Sequence, residues 1–202
     1  FLNYISSLEP VNPRDSVSLE VNIMKGLFYV HLYSSLEKTV SELTEQTILL
    51  IDAKSIRIKH YNETFNTIAL NNELKSFKEC GYKLFFTKAH EIFDGTTRSN
   101  STSLNETVFS DSLQNAKFNT ISEILKSFGV KGLSVTPRVI ATINEIVDKR
   151  NAVAHGRERA SDVGSRFRTD ILRTKLNEVT DFTNLIIDLF DNYFSRKDYL
   201  KS

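Results

Sequence analysis

Apolar residues recur every three or four positions along most of the chain, which is the spacing of helices that bury one face. In the first such stretch Val21, Phe28, Leu32 and Leu36 follow this pattern, and further apolar residues widen the stripe beyond one side. A helix that is apolar on more than one side is usually central in its bundle. No strand-like alternation competes, so the pattern predicts an all-α fold. The predicted helices cover about 16–53, 64–93, 120–128, 137–150 and 162–195.

The segments between these helices suggest a simple organisation of the chain. Residues 1–15 hold two prolines and little periodicity, so they are predicted to form an N-terminal arm. Residues 16–198 are predicted to form a single helical domain. Within it, residues 95–118 are rich in Ser, Thr and Asn and poor in large apolar groups, which predicts a long polar loop insertion.

Composition restricts the class of protein without deciding its function. The 202 residues include 40% hydrophobic and 25% charged residues, enough to bury a sizeable core. The net charge of +1 does not by itself indicate a nucleic-acid partner, so only a local cluster of cations could attract one. Cys80 is the only cysteine, which excludes an internal disulfide and fits a reducing cytosol. No apolar run is long enough to span a bilayer, so we expect a cytoplasmic protein without a membrane partner.

One cluster of polar groups lies at the end of the helix predicted for 137–150. Arg150, Asn151 and His155 place a permanent cation, an amide and an imidazole within about two helical turns. Arg150 continues the apolar stripe of this helix, so it projects toward the core and needs an acidic partner or a substrate phosphate. Glu37 on the first long helix is the candidate partner, with Tyr33 four residues earlier on the same face. Alternatively, Tyr33 and Glu37 lie on a solvated edge.

This cluster suits cleavage of an RNA phosphodiester without a metal ion or other cofactor. His155 would take a proton from a 2′-hydroxyl or donate one to the leaving oxygen. Arg150 would stabilise the charge of the phosphorane, and Asn151 would position the phosphate or the imidazole. The histidines and Cys80 show no metal-ligand spacing. Alternatively, His155 only caps the helix and Arg150 forms a structural salt bridge.

Basic residues flank the cluster and are predicted to bind the RNA backbone. Lys149, Arg157 and Arg159 are the nearest, and a further basic run extends to Lys175. Acidic residues such as Glu158 interrupt this run, so a solvated face is the alternative.

The stretch Arg150-Asn151-x-x-Ala154-His155-Gly156 resembles the Arg-x(4–6)-His signature of HEPN domains (higher eukaryotes and prokaryotes nucleotide-binding). The upstream stretch at 26–37, GLFYVHLYSSLE, is similar to the first long helix of the MAE-like HEPN RNase branch. The resemblance implies a bundle of four to five helices that forms a homodimer, with the two motifs sharing one composite RNase site. It implies that Arg150 and His155 are catalytic and that Asn151 is the polar residue following the arginine.

The resemblance also implies a biological setting. Many HEPN proteins are toxins or effectors in toxin–antitoxin and other prokaryotic defence systems, so an antitoxin or a defence-system protein is an expected partner beside RNA. Two other interpretations remain. One is a non-catalytic HEPN module that binds RNA or a nucleotide, or that serves in dimerisation. The other is a helical adaptor in which the motif is structural.

Overall fold

A computed structural model describes residues 1–12 and 15–201, and within them the secondary structure is helical, with two isolated β-bridges and no strand. The predicted all-α fold is therefore confirmed. None of the helices described has the length and apolarity that crossing a bilayer requires. The α-helices are α1 Leu2–Leu8, α2 Leu19–Asp52, α3 Asn66–Ala69, α4 Asn71–Glu79, α5 Phe85–Gly95, α6 Ser110–Leu113, α7 Phe118–Phe128, α8 Pro137–Ala154, α9 Ala160–Gly164 and α10 Thr169–Arg196.

The chain divides into two compact units. Unit 1 comprises Phe1–Thr39, Asn115–Phe118 and Ser134–Leu185. Unit 2 comprises Val40–Gln114, Asn119–Leu133 and Ile186–Ser202. Helices α2, α7 and α10 contribute residues to both units. The single domain expected across 16–198 stays a prediction.

In unit 1, helix α9 lies directly on the backbone of α2. A Cβ atom at Gly26 of α2 would lie 1.9 Å from the carbonyl oxygen of Ala160. A Cβ atom at Gly164 of α9 would lie 1.9 Å from the carbonyl oxygen of Asn22. Glycine is therefore required on both sides of this contact, because no side chain fits between the two backbones.

The N-terminal segment, expected to be an arm, contains α1 and is tied to the rest of unit 1 by Glu9. The Lys25 ammonium donates to Glu9 Oε1 at 3.1 Å, and the side chains are only 2% and 8% exposed. The backbone N–H of Thr169, at the start of α10, also donates to this carboxylate, at 3.2 Å from Oε2. Burial alone would raise the pKa of Glu9, but the hydrogen bonds from Lys25 and Thr169 outweigh it and hold the pKa below its usual value.

Unit 2 has an aromatic core and holds part of the predicted polar insertion in place. The Phe128 ring meets Phe190 edge-on, with centroids 4.9 Å apart. In the insertion, Leu104 and Leu113 are buried. The N–H of Leu104 donates to Asp52 Oδ1 at 2.8 Å. The insertion is thus a loop with a short helix, α6, in which the apolar residues Leu104, Leu113 and Ala116 are buried.

Three predicted helix boundaries differ from the structure. The stretch at 64–93 is broken at two places. Leu70 separates α3 from α4, and the extended residues Cys80 and Gly81 separate α4 from the 3-10 turn at Tyr82–Leu84 and from α5. The helix predicted for 120–128 begins two residues earlier, since α7 starts at Phe118, so Thr120 is a helical residue and not the N-cap. The final stretch is divided into α9 and α10, and α10 begins at Thr169 rather than near 162.

The contact between α2 and α9 predicts a large difference between two Gly→Ala substitutions. Gly164→Ala should lower the free energy of unfolding by about 3 kcal/mol, since overpacking against a backbone oxygen forces the helices apart. Gly81→Ala is the matched control, because a Cβ there meets nothing within 4 Å and φ is −75°. It should be neutral or stabilising by about 0.4–1 kcal/mol. Urea denaturation measures both, and equal stabilities would contradict the close approach.

The buried ion pair predicts an acid-sensitive contribution to stability. Because the folded pKa of Glu9 is lowered, this contribution is complete above the unfolded value of about 4.3 and is lost as pH falls through the folded pKa. Glu9→Gln should lower the free energy of unfolding at pH 7 by about 3–5 kcal/mol and remove this part of the acid dependence. Glu123→Gln, which breaks an exposed pair with Lys126, should change it by less than about 1 kcal/mol. Denaturation curves between pH 3 and 7 test the difference.

Candidate active site

The predicted cluster lies at the C-terminal end of α8, within unit 1. The predicted start of this helix is confirmed, because Thr136 caps it with its side chain and Pro137 follows as the first helical residue. The helix ends at Ala154, His155 is its C-cap, and Gly156 has φ +67°. This left-handed conformation favours glycine, so Gly156 stops the helix directly after His155.

The Arg150 guanidinium is held on the inner side of α8 by groups from α2 and α8. Its Cζ lies 3.7 Å from the centroid of the Tyr33 ring, and its Nη2 lies 3.8 Å from Glu37 Oε2. Its Nη1 also donates to Asn151 Oδ1 at 3.0 Å. The predicted pairing of Arg150 with Glu37 is thus present, although 3.8 Å is long for an ion pair. The ring, the carboxylate and the amide together fix the plane of the guanidinium.

Tyr33 is a buried platform rather than part of a solvated edge, because only 1% of it is exposed. Its hydroxyl accepts a hydrogen bond from the N–H of Ala116 at 3.2 Å. Burial raises the pKa of Tyr33, and the nearby Ala116 N–H and Arg150 oppose this only in part. The hydroxyl is therefore neutral at pH 7 and does not serve as a base there.

Asn151 is held between Arg150 and Asn115. While its Oδ1 accepts from Arg150, its Nδ2 donates to Asn115 Oδ1 at 2.9 Å. Asn115 was not predicted as a site residue, because it lies 36 positions earlier within the predicted insertion and no motif marks it. The three side chains form a continuous chain of hydrogen bonds that orients the amide of Asn151.

His155 differs from Arg150 in being exposed. Its backbone N–H donates to the carbonyl of Asn151 at 3.1 Å, which closes the last turn of α8. Within residues 1–12 and 15–201 its imidazole has no hydrogen bond or ion pair. The cation of the cluster is therefore turned inward and fixed, while the titratable ring is open to solvent.

The three predicted RNA-binding cations have different surroundings. Arg157 and Arg159 are exposed, and in the described part of the chain neither pairs with a carboxylate. Lys149 Nζ instead lies 3.6 Å from Glu158 Oε1, and Arg166 pairs with the same carboxylate. The hydrogen bond from Arg166 is the main cause that holds the pKa of Glu158 below its usual value. Glu158 thus lies close to the ammonium of Lys149, whereas among the described residues no carboxylate lies within ion-pair distance of the two arginines.

One member of the longer basic run is not available to bind RNA. Lys175 is buried, and its Nζ lies 2.7 Å from Glu145 Oε2. Its charge is used inside unit 1, which corrects the prediction that the whole run faces an RNA backbone.

A comparison with protein families matches residues 2–196 to the family described as RiboL-PSP-HEPN. The chain belongs to this family. The predicted HEPN domain is therefore confirmed, whereas the MAE-like branch is not confirmed by this match. No curated protein and no solved structure matched the chain.

Membership of the RiboL-PSP-HEPN family favours a role in RNA cleavage or RNA binding. In this RiboL-PSP-HEPN chain, the motif lies at the C-terminal end of α8. Arg150, on the inner side of the helix, is held by Tyr33 and Asn151, and His155 is exposed to solvent. Among the described residues no group of three or more His, Cys, Asp or Glu side chains is arranged to hold a metal ion.

The buried contact below Arg150 predicts a specific role for the Tyr33 hydroxyl. Tyr33→Phe keeps the ring under Arg150 but leaves the buried N–H of Ala116 without its acceptor. We expect the free energy of unfolding to fall by about 1–3 kcal/mol. The exposed Tyr4 provides the control, because Tyr4→Phe should change stability by less than about 0.5 kcal/mol. If urea denaturation finds the two substitutions alike, the hydroxyl does not support the segment at 115–118.

Proposed function

We propose that the protein is a metal-independent endoribonuclease that uses Arg150 and His155 in its active site. The observation that carries this proposal is the contrast between the two side chains. Arg150 is stacked on Tyr33 and bonded to Asn151, so it presents a fixed positive charge. His155 stands exposed five residues later on the same helix end. A fixed cation and an accessible imidazole are two of the groups that in-line cleavage by a 2′-hydroxyl uses.

The proposed reaction is an internal transfer of the phosphodiester. His155 removes the proton of the 2′-hydroxyl, and O2′ forms a bond to the adjacent phosphorus. The bond from phosphorus to O5′ breaks, and O5′ takes up a proton. The products are a 2′,3′-cyclic phosphate and a 5′-hydroxyl. Arg150 stabilises the charge that develops on the phosphorane, and Asn151 positions the phosphate or the imidazole.

The need for an acid as well as a base supports a homodimer with a composite site. The cluster of one chain holds a single imidazole, the neutral Tyr33 hydroxyl is buried, and Glu37 lies beside Arg150. Protonation of O5′ therefore requires a second group, which His155 of a second copy would supply. We propose that two motifs face each other across the scissile phosphate, and that Arg157 and Arg159 bind the flanking RNA backbone.

The same proposal covers the biological role. We propose that the protein acts as a toxin or effector in a prokaryotic defence or toxin–antitoxin system and that a partner protein restrains it. Membership of a HEPN family supports this role. Expression of the wild-type chain should slow growth, and His155→Ala should relieve the effect.

The decisive experiment incubates the purified full chain with end-labelled RNA in the presence of EDTA. We expect cleavage that leaves 2′,3′-cyclic phosphate ends, and a loss of at least about 100-fold in rate for His155→Ala or Arg150→Ala, since each removes a proton-transfer or charge-stabilising group. His60→Ala replaces another exposed histidine and should cleave like the wild type. Equal cleavage by His155→Ala would disprove the assignment. Tight RNA binding without cleavage by the wild type would instead favour a non-catalytic binding module.

A mixed dimer provides the control for the composite site. Dimers that contain one wild-type and one His155→Ala chain are isolated with two different affinity tags. If both imidazoles serve one phosphate, their activity falls far below half of the wild-type value. Half activity would show that each chain acts alone.

A further inference from the structure

The helical hairpin at residues 71–95 buries little of its own surface. It consists of α4, the 3-10 turn at Tyr82–Leu84 and α5, and we name it the aromatic hairpin. No residue of α4 or of the 3-10 turn is buried, and in α5 only Gly95 is. The two arms meet through the rings of Phe77 and Phe85, whose centroids are 5.0 Å apart.

The remaining aromatic side chains of the hairpin are exposed to an unusual degree. Tyr82 is 90%, Phe86 70% and Phe93 71% exposed. Phe86, His90 and Phe93 are spaced by four and three residues, so they lie on one face of α5. Tyr82 precedes this row in the 3-10 turn. Large apolar groups collected on one surface mark a site that binds another molecule.

The hairpin also exposes positive charge, although its net charge is zero. Its four lysines are matched in number by Glu73, Glu79, Glu91 and Asp94, and of these acids Glu73 pairs with Arg98, outside the hairpin. Of these lysines, Lys88 pairs with Glu91 at 2.7 Å. The exposed side chains of Lys75, Lys78 and Lys83 have no ion pair within the described part of the chain. The surface therefore offers exposed rings and exposed cations together.

This combination distinguishes between two kinds of ligand. Protein interfaces are enriched in aromatic residues but depleted in lysine. Sites for single-stranded nucleic acid combine aromatic rings, on which bases stack, with cations that follow the phosphates. The aromatic hairpin has both features.

We propose that the aromatic hairpin binds single-stranded RNA, with bases stacked on Phe86, Phe93 and Tyr82 and phosphates near Lys78 and Lys83. Phe86 and Phe93 are seven residues apart, which separates their positions by about 10 Å along the axis of α5, so the two rings contact separate bases. Recognition is tolerant of sequence because every base has a π-face. The choice of RNA as ligand rests on the proposed function, but the surface involves neither Arg150 nor His155.

The test measures binding of a fluorescent single-stranded oligouridine to the full chain that carries His155→Ala, so that cleavage does not interfere. Adding Phe86→Ala or Phe93→Ala should raise Kd by about 5- to 150-fold, the loss expected for one stacked base. Because both rings are exposed, the fold does not depend on them. Lys78→Ala combined with Lys83→Ala should reduce the slope of log K against log salt by about 0.7 for each lost phosphate contact.

Two conservative variants and one control separate stacking from apolar docking. Phe86→Tyr keeps an aromatic ring, so its Kd for RNA should stay within about threefold of that of the parent, the chain that carries His155→Ala alone. Phe86→Leu keeps an apolar side chain without a ring and should bind as weakly as Phe86→Ala. Tyr4→Ala removes an exposed aromatic residue of unit 1 and should leave Kd unchanged.

Three results would overturn the proposal. They are an absence of RNA binding by the parent, unchanged binding by Phe86→Ala and Phe93→Ala, and dissociation of a dimer by these substitutions. The last would show that the hairpin contacts a second copy. The proposed catalysis fails independently, because it is judged by the EDTA cleavage assay. A chain that binds RNA through the hairpin but cleaves none would refute only the proposed catalysis.

Discussion

The contact of the Arg150 guanidinium with the Tyr33 ring is the interaction on which the candidate site depends. A permanent cation on the core-facing side of α8 is tolerated only if other groups replace its water. The ring, 3.7 Å away, does so on one side, and Asn151 does so on another. The hydroxyl of the same tyrosine bonds Ala116, whose neighbour Asn115 bonds Asn151. One buried side chain thus connects α2, the segment at 115–118 and α8.

The distribution of ion pairs leaves exposed cations on a nearly neutral chain, as the proposed binding of RNA requires. Some cations form ion pairs with acidic residues of the protein and are not available to a ligand. Others remain exposed without a carboxylate partner in the described residues, near the motif and on the aromatic hairpin. What matters for a polyanion is therefore the position of the remaining cations rather than the net charge of +1. The buried cations that form such pairs are Lys25, with Glu9, and Lys175, with Glu145, whereas the pair between Arg166 and Glu158 lies at the surface.

Features that depend on residues adjacent in sequence could be predicted. Features that depend on contacts between residues far apart in the sequence could not. The caps of α8 and the inward direction of Arg150 follow from local chemistry and helical period. The start of α7 could not be predicted, because the N–H of Phe118 donates a hydrogen bond to Oδ1 of Asn144, which lies 26 residues later in the sequence. The role of Asn115 and the burial of Lys175 likewise depend on contacts between distant segments. Periodicity also does not reveal where two glycines let backbones touch.

The contact between Gly26 and α9 has a consequence for the histidine. Only residues 155–159 separate the end of α8 from the start of α9. Since α9 is held against the α2 backbone, this short loop is fixed at both ends, and the N–H groups of Arg157 and Glu158 also bond the carbonyl of Ala152. Little conformational freedom is left for the loop to lose when a ligand binds. The backbone at His155 is thus preorganised, so the entropic cost of ordering it when a ligand binds is small.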